Sequence, residues 1–282
     1  MLSDLIKILK GDKSAFLGAL IIVLYILMAT VGQVVVPLTN VTNPGLAYEA
    51  PSWAHWLGTD WAGKGVLAEV VHGSPPILMV AVSASLLMVA VGVLVGLSAG
   101  YAGGLADMIL MRLADIFLTI PSLPLVIVLA TFVKATNPLI LAAILSVTSW
   151  AGLARAVRSQ ALSLRQRDFI EAASIQGLSR STILFRQLLP NIGPYVAIHF
   201  LLGITGAIYA EVGLFLLGIA PFSSNNWGVM LNIAINQGGA LYSSRSVFYL
   251  VSPMAAIVIL QLGFVLFTRA LDQLFNPRLR RA

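Results

Sequence analysis

The chain has 282 residues, of which 59% are hydrophobic and only 10% are charged, and its formal net charge is +6. A soluble domain carries roughly 25% charged residues, so this composition excludes an ordinary water-soluble protein and indicates one whose solvent is the lipid bilayer. The absence of cysteine excludes disulfides and thiolate metal ligands, and the three histidines are widely separated, so we expect neither a metal site nor a cofactor.

The chain begins with an amphipathic segment followed by an apolar run. In "MLSDLIKILK" the leucines and Ile6 fall on one helical face opposite the lysines, which predicts a helix lying at the membrane surface. The apolar run at residues 15–36 exceeds the roughly 7–15 residues of a signal-peptide core. We therefore expect residues 1–75 to hold an interfacial helix, an uncleaved first transmembrane helix and an outer loop.

The segment "GTDWAGKG", residues 58–65, has the glycine and lysine spacing of a phosphate-binding P-loop. Such a loop needs Ser or Thr after the lysine to reach the magnesium ion, but Gly65 follows Lys64 here. Asp60 also places a carboxylate where backbone amides would cradle phosphate. The segment therefore predicts no ATP site, and no nucleophile–base constellation elsewhere in the sequence indicates an enzyme.

Five further apolar runs are predicted to be transmembrane helices, because backbone amides in lipid must be satisfied within their own segment. These runs are residues 76–99, 109–133, 138–153, 192–217 and 248–268. The predicted fold class is thus an all-α integral membrane protein with six transmembrane helices. Glycines at positions 92, 96 and 100 predict a helix-packing face, and Pro121 and Pro124 predict a kink or break in the third helix.

Charged residues in these runs have simple structural interpretations. Glu211, near the outer end of the fifth helix, is expected to make a structural hydrogen bond or to lie at the interface rather than to line a pathway. Arg112 and Asp115 are three residues apart on one helix, which predicts a local ion pair.

The basic residues predict the orientation of the chain. Fourteen lysines and arginines fall on one side of the six helices and three on the other. The positive-inside rule assigns the richer side, which carries both termini, to the cytoplasm and residues 58–65 to the outside. The excess of positive charge is then explained by topology, and no nucleic-acid partner is expected.

The longest cytoplasmic segment, residues 154–191, is too strongly patterned to be a simple linker. Its "RQRDFIEAASIQG", residues 165–177, predicts a short helix that ends with a left-handed cap at Gly177. Ser179 or Ser181 is suited to cap a second helix that runs toward the fifth transmembrane helix.

Phe169, Ala172 and Ala173 lie at helical spacing and are predicted to form one small apolar face of this short helix. Such a face fits a groove on a cytosolic partner. It fits equally well on the lipid surface, where the arginines of the segment would favour anionic headgroups. The residue pattern alone does not decide between the two.

The same segment resembles the EAA loop of binding-protein-dependent ABC importer permeases, whose pattern is E-A-A, three residues, G, nine residues and I-x-L-P. In this chain Gln187 stands at the isoleucine position. The resemblance implies that the loop forms a coupling helix that docks into a cleft of an ATP-binding subunit. The implied ATPase-coupling residues are Glu171, Ala172, Ala173, Gly177, Leu189 and Pro190.

Further stretches resemble the dipeptide, oligopeptide and nickel branch of these permeases: "HWLGTDWAGKGVL", "AEVGLFLLGIAPFSSNNWGVML" and "LDQLFNPRLR". Lys64 and Gly65 replace the usual Arg-Asp pair, and Asn276 replaces an aspartate. The resemblance implies the second of two permease subunits, with the type I importer fold. It also implies a permease domain at residues 76–275 and a cytoplasmic tail at residues 276–282.

The resemblance further implies the partners and the location. The partners are a second homologous permease subunit, two cytosolic ATP-binding subunits and an extracytoplasmic substrate-binding protein, assembled in the inner membrane of a prokaryote. Peptides are the first substrate expected, with nickel, glutathione and oligosaccharides as alternatives. The alternative class is a secondary transporter or channel driven by an ion gradient, which should show internal repeats or ionisable groups near the bilayer midplane.

Overall fold

The computed structural model describes residues 2–39, 41–133, 137–219, 225–241 and 244–275, which are predominantly α-helical. The α-helices are α1 (Leu2–Gly11), α2 (Lys13–Thr30), α3 (Gly32–Val35), α4 (Val66–Ala102), α5 (Gly104–Thr119), α6 (Ser122–Val133), α7 (Pro138–Arg165), α8 (Asp168–Ile175), α9 (Arg180–Thr182), α10 (Leu189–Leu216), α11 (Trp227–Asn236) and α12 (Val247–Phe275). Among the described residues five helical segments are long and apolar enough to cross a membrane, and there are six if the bent pair α5–α6 counts as one span. The all-helical membrane fold predicted from composition is confirmed. The predicted tail, residues 276–282, lies outside the described residues.

Helix α4 begins at Val66, well before its predicted start, and continues through two consecutive prolines. Pro75 removes the amide that would donate to the carbonyl of Val71. That carbonyl instead accepts hydrogen bonds from Ser74 Oγ at 2.7 Å and from Gln33 Nε2 at 2.9 Å. The helix continues because side chains replace the missing backbone bond, and one of them comes from outside the helix.

The third predicted helix is divided into α5 and α6, whose axes differ by 88°. The break falls at Ile120, whose backbone is extended because a residue before proline avoids the helical region. Pro124 lies in the first turn of α6, where its missing amide sacrifices no helical hydrogen bond. The break predicted from Pro121 and Pro124 is confirmed.

Helix α7 continues to Arg165 instead of ending at residue 153 as predicted. Ala154, Val157 and Ala161 are fully buried and recur at helical spacing, so an apolar stripe persists after the strongly hydrophobic run has ended. The first third of the predicted loop at residues 154–191 is therefore helix. The rigid connection between the membrane-spanning part of α7 and the short helix α8 is therefore longer than predicted.

The glycines at positions 92, 96 and 100 allow α4 and α7 to approach closely. A Cβ atom at Gly96 would lie 2.5 Å from the carbonyl oxygen of Ala154, and one at Gly100 would lie 2.6 Å from the Cβ of Ala161. A side chain at either position would require the helices to separate. The predicted glycine packing face is confirmed, and its partner is α7.

The buried helix α11 was not predicted from the sequence, because its ten residues are too few to span a bilayer. Its first residue, Trp227, is fully buried. The indole N–H of Trp227 donates to the carbonyl of Val70 at 2.9 Å, and its ring meets Tyr25 edge-on with centroids 6.0 Å apart. Helix α11 thus packs among α10, α12 and the first turns of α4.

Two ion pairs join α5 to α7. Arg158 binds both carboxylate oxygens of Asp107, with an Nη2–Oδ2 distance of 2.6 Å, and Arg155 pairs with Asp115. The predicted local pair between Arg112 and Asp115 is wrong, because Asp115 is paired with a residue of another helix instead.

Candidate functional site

The short helix α8 lies between the end of α7 and the start of α10, the region in which the sequence predicted a cytoplasmic helix. It ends at Gly177, whose φ angle of +72° is in the left-handed region. The Gly177 amide donates to the carbonyl of Ser174 at 3.0 Å, and the Leu178 amide donates to that of Ala173 at 3.2 Å. The predicted glycine cap is confirmed, and it turns the chain sharply back toward the membrane.

One face of α8 is packed against the chain itself. Ile170 and Ala173 are only 3% and 5% exposed. They belong to a buried apolar cluster that also contains Val157 and Ala161 of α7 and Leu188 before α10. The expectation that Ala173 shares an exposed face with Phe169 and Ala172 is therefore corrected, since Ala173 points into this cluster.

The face of α8 opposite this cluster is exposed, and it carries Ile175 and Ala172 beside the acidic residues Asp168 and Glu171. Ile175 follows Ile170 by five residues, which is about 140° around a helix of 3.6 residues per turn. Its side chain is 81% exposed, and those of Phe169 and Ala172 are exposed as well. The sequence interpretation missed Ile175. Because Ile170 and Ala173 define the buried side of the helix, Ile175 lies on the outward side.

The chain returns from α8 to the membrane through two short turns. Ser179 Oγ accepts a hydrogen bond from the Thr182 amide at 3.2 Å, so the predicted cap on the second helix is confirmed. A π-helical turn, Ile183–Leu188, then leads into α10. Leu189 is partly buried against the cluster beneath α8, while Pro190 is exposed in the first turn of α10. Both residues therefore lie at the base of the site rather than on its outer face.

A polar cleft of about 560 Å³ opens beside α8. Its polar lining consists of Tyr101, Arg165, Gln166, Glu171, Ser174 and Arg180. Glu171 is therefore on the flank of α8, in a cleft that it shares with two arginines. A cleft with charges of both signs beside an exposed apolar face is suited to a polar protein surface.

A second cavity, of about 330 Å³, lies between α4, α6, α7 and α10. Among the described residues that line it, none is charged, and its polar side chains are Ser85, Ser122, Thr148, Ser149 and Tyr209. Gly206 and Gly213 leave the backbone of α10 open on this side, whereas Gly203 lets α10 pack closely against Ser85 and Met88 of α4. The cavity is thus uncharged and mainly apolar, with five hydroxyl groups in its lining, and two of its walls, α7 and α10, are the helices that flank α8 in the chain.

Glu211 is fully buried but is not part of this cavity lining. Its Oε1 accepts a hydrogen bond from Asn226 Nδ2 at 2.8 Å, while Asn226 Oδ1 accepts from the Gly228 amide at 2.8 Å. The structural hydrogen bond expected from the sequence is confirmed. Glu211 joins α10 to the start of α11.

The segment at residues 58–65, which the sequence predicts to lie outside, forms a loop closed by a bridge between Thr59 and Gly65. Asp60 Oδ1 accepts hydrogen bonds from the amides of Ala62 at 2.8 Å and Lys64 at 2.7 Å. These amides, which a P-loop would direct at phosphate, are satisfied by a carboxylate of the loop itself. The geometry agrees with the prediction that this segment binds no ATP.

Comparison with known proteins relates the chain to a transport family. The family described as "Binding-protein-dependent transport system inner membrane component" matches residues 92–281. The oligopeptide transport system permease protein OppC of Bacillus subtilis (strain 168) is 32% identical over 280 residues, which cover 96% of this chain and 88% of that protein. The dipeptide transport system permease protein DppC of the same strain is 33% identical over 278 residues, covering 97% and 84%.

A solved structure shares the fold. The inward-facing MetNI methionine ABC transporter contains a chain that aligns with a TM-score of 0.54 and 19% sequence identity. The alignment covers 72% of this chain and 96% of that one. At this identity the likeness supports the fold alone, which is that of a type I importer permease.

Proposed function

The chain belongs to the family of binding-protein-dependent transport system inner membrane components, and from this premise we propose that it is the second of two permease subunits in an ATP-driven importer of peptides. The names of the relatives OppC and DppC support peptides as the substrate class. The neutral cavity, which offers hydroxyl groups and exposed backbone, is suited to peptide groups without selecting for charge. Within the part of the chain that the structure describes, the buried Glu211 does not support the alternative of a gradient-driven transporter, because it accepts a structural hydrogen bond from Asn226.

The observation that carries the proposal is the two-faced packing of α8. One face is fixed to the chain by Ile170 and Ala173, and the other presents Ile175, Ala172 and Phe169 outward. An exposed isoleucine on a rigidly seated helix is suited to insertion into a groove of an ATP-binding subunit. The proposed coupling residues thus divide into Ala172, which contacts the partner, and those that position the helix: Ala173, Gly177, Leu189 and Pro190. Glu171 would contact polar groups at the edge of the groove.

Movement of α8 would reach the membrane cavity through packed side chains. Helix α8 rests on the buried cluster formed with α7, and α7 is in glycine-mediated contact with α4. Both α4 and α7 wall the cavity. Because tightly packed helices move as bodies rather than deforming, closure of two ATP-binding subunits would shift these helices and change access to the cavity.

The proposed assembly contains a second homologous permease subunit, two cytosolic ATP-binding subunits and an extracytoplasmic substrate-binding protein. We place it in the inner membrane of a prokaryote, with both termini in the cytoplasm. ATP hydrolysis takes place in the ATP-binding subunits and not in this chain.

The experiment compares substitutions on the two faces of α8. Burying an isoleucine contributes about 1.5–3 kcal/mol. The exposed four-fifths of Ile175 corresponds to about 1.2–2.4 kcal/mol, or roughly 7- to 50-fold in affinity. Ile175→Ser and Ala172→Trp should therefore reduce co-purification of the ATP-binding subunit and peptide uptake, without changing the thermal stability of this chain.

Ala173→Trp provides the matched contrast on the inner face. The tryptophan has no room in the buried cluster, so this variant should lower the thermal stability of the chain as well as uptake. Normal recovery of the ATP-binding subunit and normal uptake in both Ile175→Ser and Ala172→Trp would refute the proposed docking face.

A further inference from the structure

Two buried carboxyl groups lie where the outer loop meets α4, and the proposed transport mechanism does not use them. Asp60 belongs to the loop and is 1% exposed, while Glu69 belongs to the first turn of α4 and is 7% exposed. Asp60 Oδ1 is satisfied by two loop amides. In contrast, Asp60 Oδ2 and Glu69 Oε2 are buried and receive no hydrogen bond from any described residue.

The two unsatisfied groups are close to each other. The carboxyl groups of Asp60 and Glu69 lie within hydrogen-bonding reach. Two ionised carboxylates can only accept hydrogen bonds, whereas a protonated carboxyl group can also donate one. A single proton placed between them satisfies both oxygens and removes one of two adjacent buried negative charges.

A metal ion is a poorer explanation for this site. Calcium takes six to eight oxygen ligands, and the described residues contain no group of three or more acidic, histidine or cysteine side chains suited to a metal. One cation is nevertheless nearby, since the charge of Lys64 acts on Glu69. Lys64 thus offsets the one negative charge that remains after the pair takes up a proton.

The other ionisable groups around the pair come from three elements. Tyr48 of the loop and Tyr249 of α12 lie close enough to interact with the charges of the pair. The loop also carries Glu49 and His55, and α4 carries His72. The rings of Tyr48 and Tyr249 pack with centroids 6.4 Å apart, and burial together with the charge of Asp60 raises the pKa of the Tyr48 phenol. His72 is held by the carbonyl of Val36 at 2.8 Å, and Glu49 is exposed.

We propose that the Glu69 carboxyl group binds a proton and donates it in a hydrogen bond to Asp60, and that this bond holds the outer loop against α4. The loop carries three exposed tryptophans, Trp53, Trp56 and Trp61, on its outer surface. Loss of this proton as the pH rises removes the hydrogen bond and leaves two buried carboxylates that repel each other. The loop is therefore bound less tightly to α4 under alkaline conditions. How tightly the outer loop packs against α4 therefore depends on the external pH.

The test measures hydrogen exchange of amides in residues 44–65 of the assembled complex across neutral and alkaline pH, corrected for intrinsic exchange. Release of one proton gives a slope that approaches tenfold loss of protection per pH unit. Glu69→Gln supplies a permanent amide donor to Asp60, and Asp60→Asn supplies one to Glu69, so each should flatten this slope. Glu49→Gln, which removes an exposed carboxylate from the same loop, is the control and should keep the wild-type slope.

Infrared spectroscopy at neutral pH should also show a protonated carboxyl band in the wild-type complex that is absent from Glu69→Gln. A flat slope in the wild type, or an unchanged slope in both Glu69→Gln and Asp60→Asn, would overturn the proposal. A loss of protection on adding a chelator at constant pH would assign the site to a metal ion and would overturn it as well.

Discussion

Replacing Gly96 with alanine places a methyl group in the closest part of the α4–α7 contact. The added Cβ would lie 2.5 Å from the carbonyl oxygen of Ala154 and 2.7 Å from the Cβ of Val157. Carbon atoms in favourable contact are about 3.5–4.0 Å apart, so the helices would have to separate by roughly 1 Å. The obstructing atoms belong to backbone and to a β-branched side chain, which cannot rotate away.

We expect a net loss of stability, because the cost of overpacking exceeds the helix propensity that alanine gains over glycine. Overpacking a fitted contact typically costs about 1–3 kcal/mol, whereas alanine gains roughly 0.5–1 kcal/mol over glycine in a helix interior. Gly152 on α7 is the matched control, because nothing lies within 4 Å of a Cβ built there. Gly96→Ala should therefore be about 1–3 kcal/mol less stable than Gly152→Ala.

The assay is reversible denaturant unfolding of the purified chain in mixed micelles, followed by tryptophan fluorescence. Trp150, buried in the cluster between α4, α7 and α5, is one of the five tryptophans that contribute to this signal. Equal stability of Gly96→Ala and Gly152→Ala would refute the reasoning, because it would mean that α7 shifts without cost. The same helix separation should reduce peptide uptake in Gly96→Ala and leave it intact in Gly152→Ala.

Two further predictions concern Glu211 and the orientation of the chain. Glu211→Ala leaves the buried Asn226 amide without its acceptor and should lower the free energy of unfolding by about 1–3 kcal/mol. Glu211→Gln keeps an acceptor and should leave the stability nearly unchanged. Equal losses of stability in both variants would contradict the structural role of Glu211. The chain has no native cysteine, so single cysteines at the exposed Trp53 and Ser181 can be labelled with a membrane-impermeant thiol reagent. Labelling of intact cells at Trp53 alone is expected, and labelling at Ser181 alone would reverse the orientation.

Much of the membrane fold could be predicted from local properties of the chain. Transfer into lipid depends on the summed hydrophobicity of a run, and each run carries that information by itself. The break at Ile120 follows from the proline beside it, and the cap at Gly177 follows from the left-handed conformation that glycine adopts readily. The glycines at positions 92, 96 and 100 likewise indicate a close helix contact, although not its partner.

The candidate site was only partly predictable. The segment containing Glu171, Ala172 and Ala173 was identified from its pattern, and its short helix is present. Which of its faces is buried depends on residues far along the chain, such as Val157 and Leu188, which pack beneath it. Ala173 was therefore assigned to the wrong face, and Ile175 was missed.

The sequence by itself determined that the protein lies in a membrane, the approximate positions of its apolar helices, and the family that it resembles. Only the tertiary structure decided the partner of Asp115, the burial of α11, the outward turn of Ile175 and the meeting of Asp60 with Glu69. The physical reason is that hydrophobic transfer and backbone preference are properties of single segments. Charge pairing and side-chain burial are instead properties of atoms that only folding brings together.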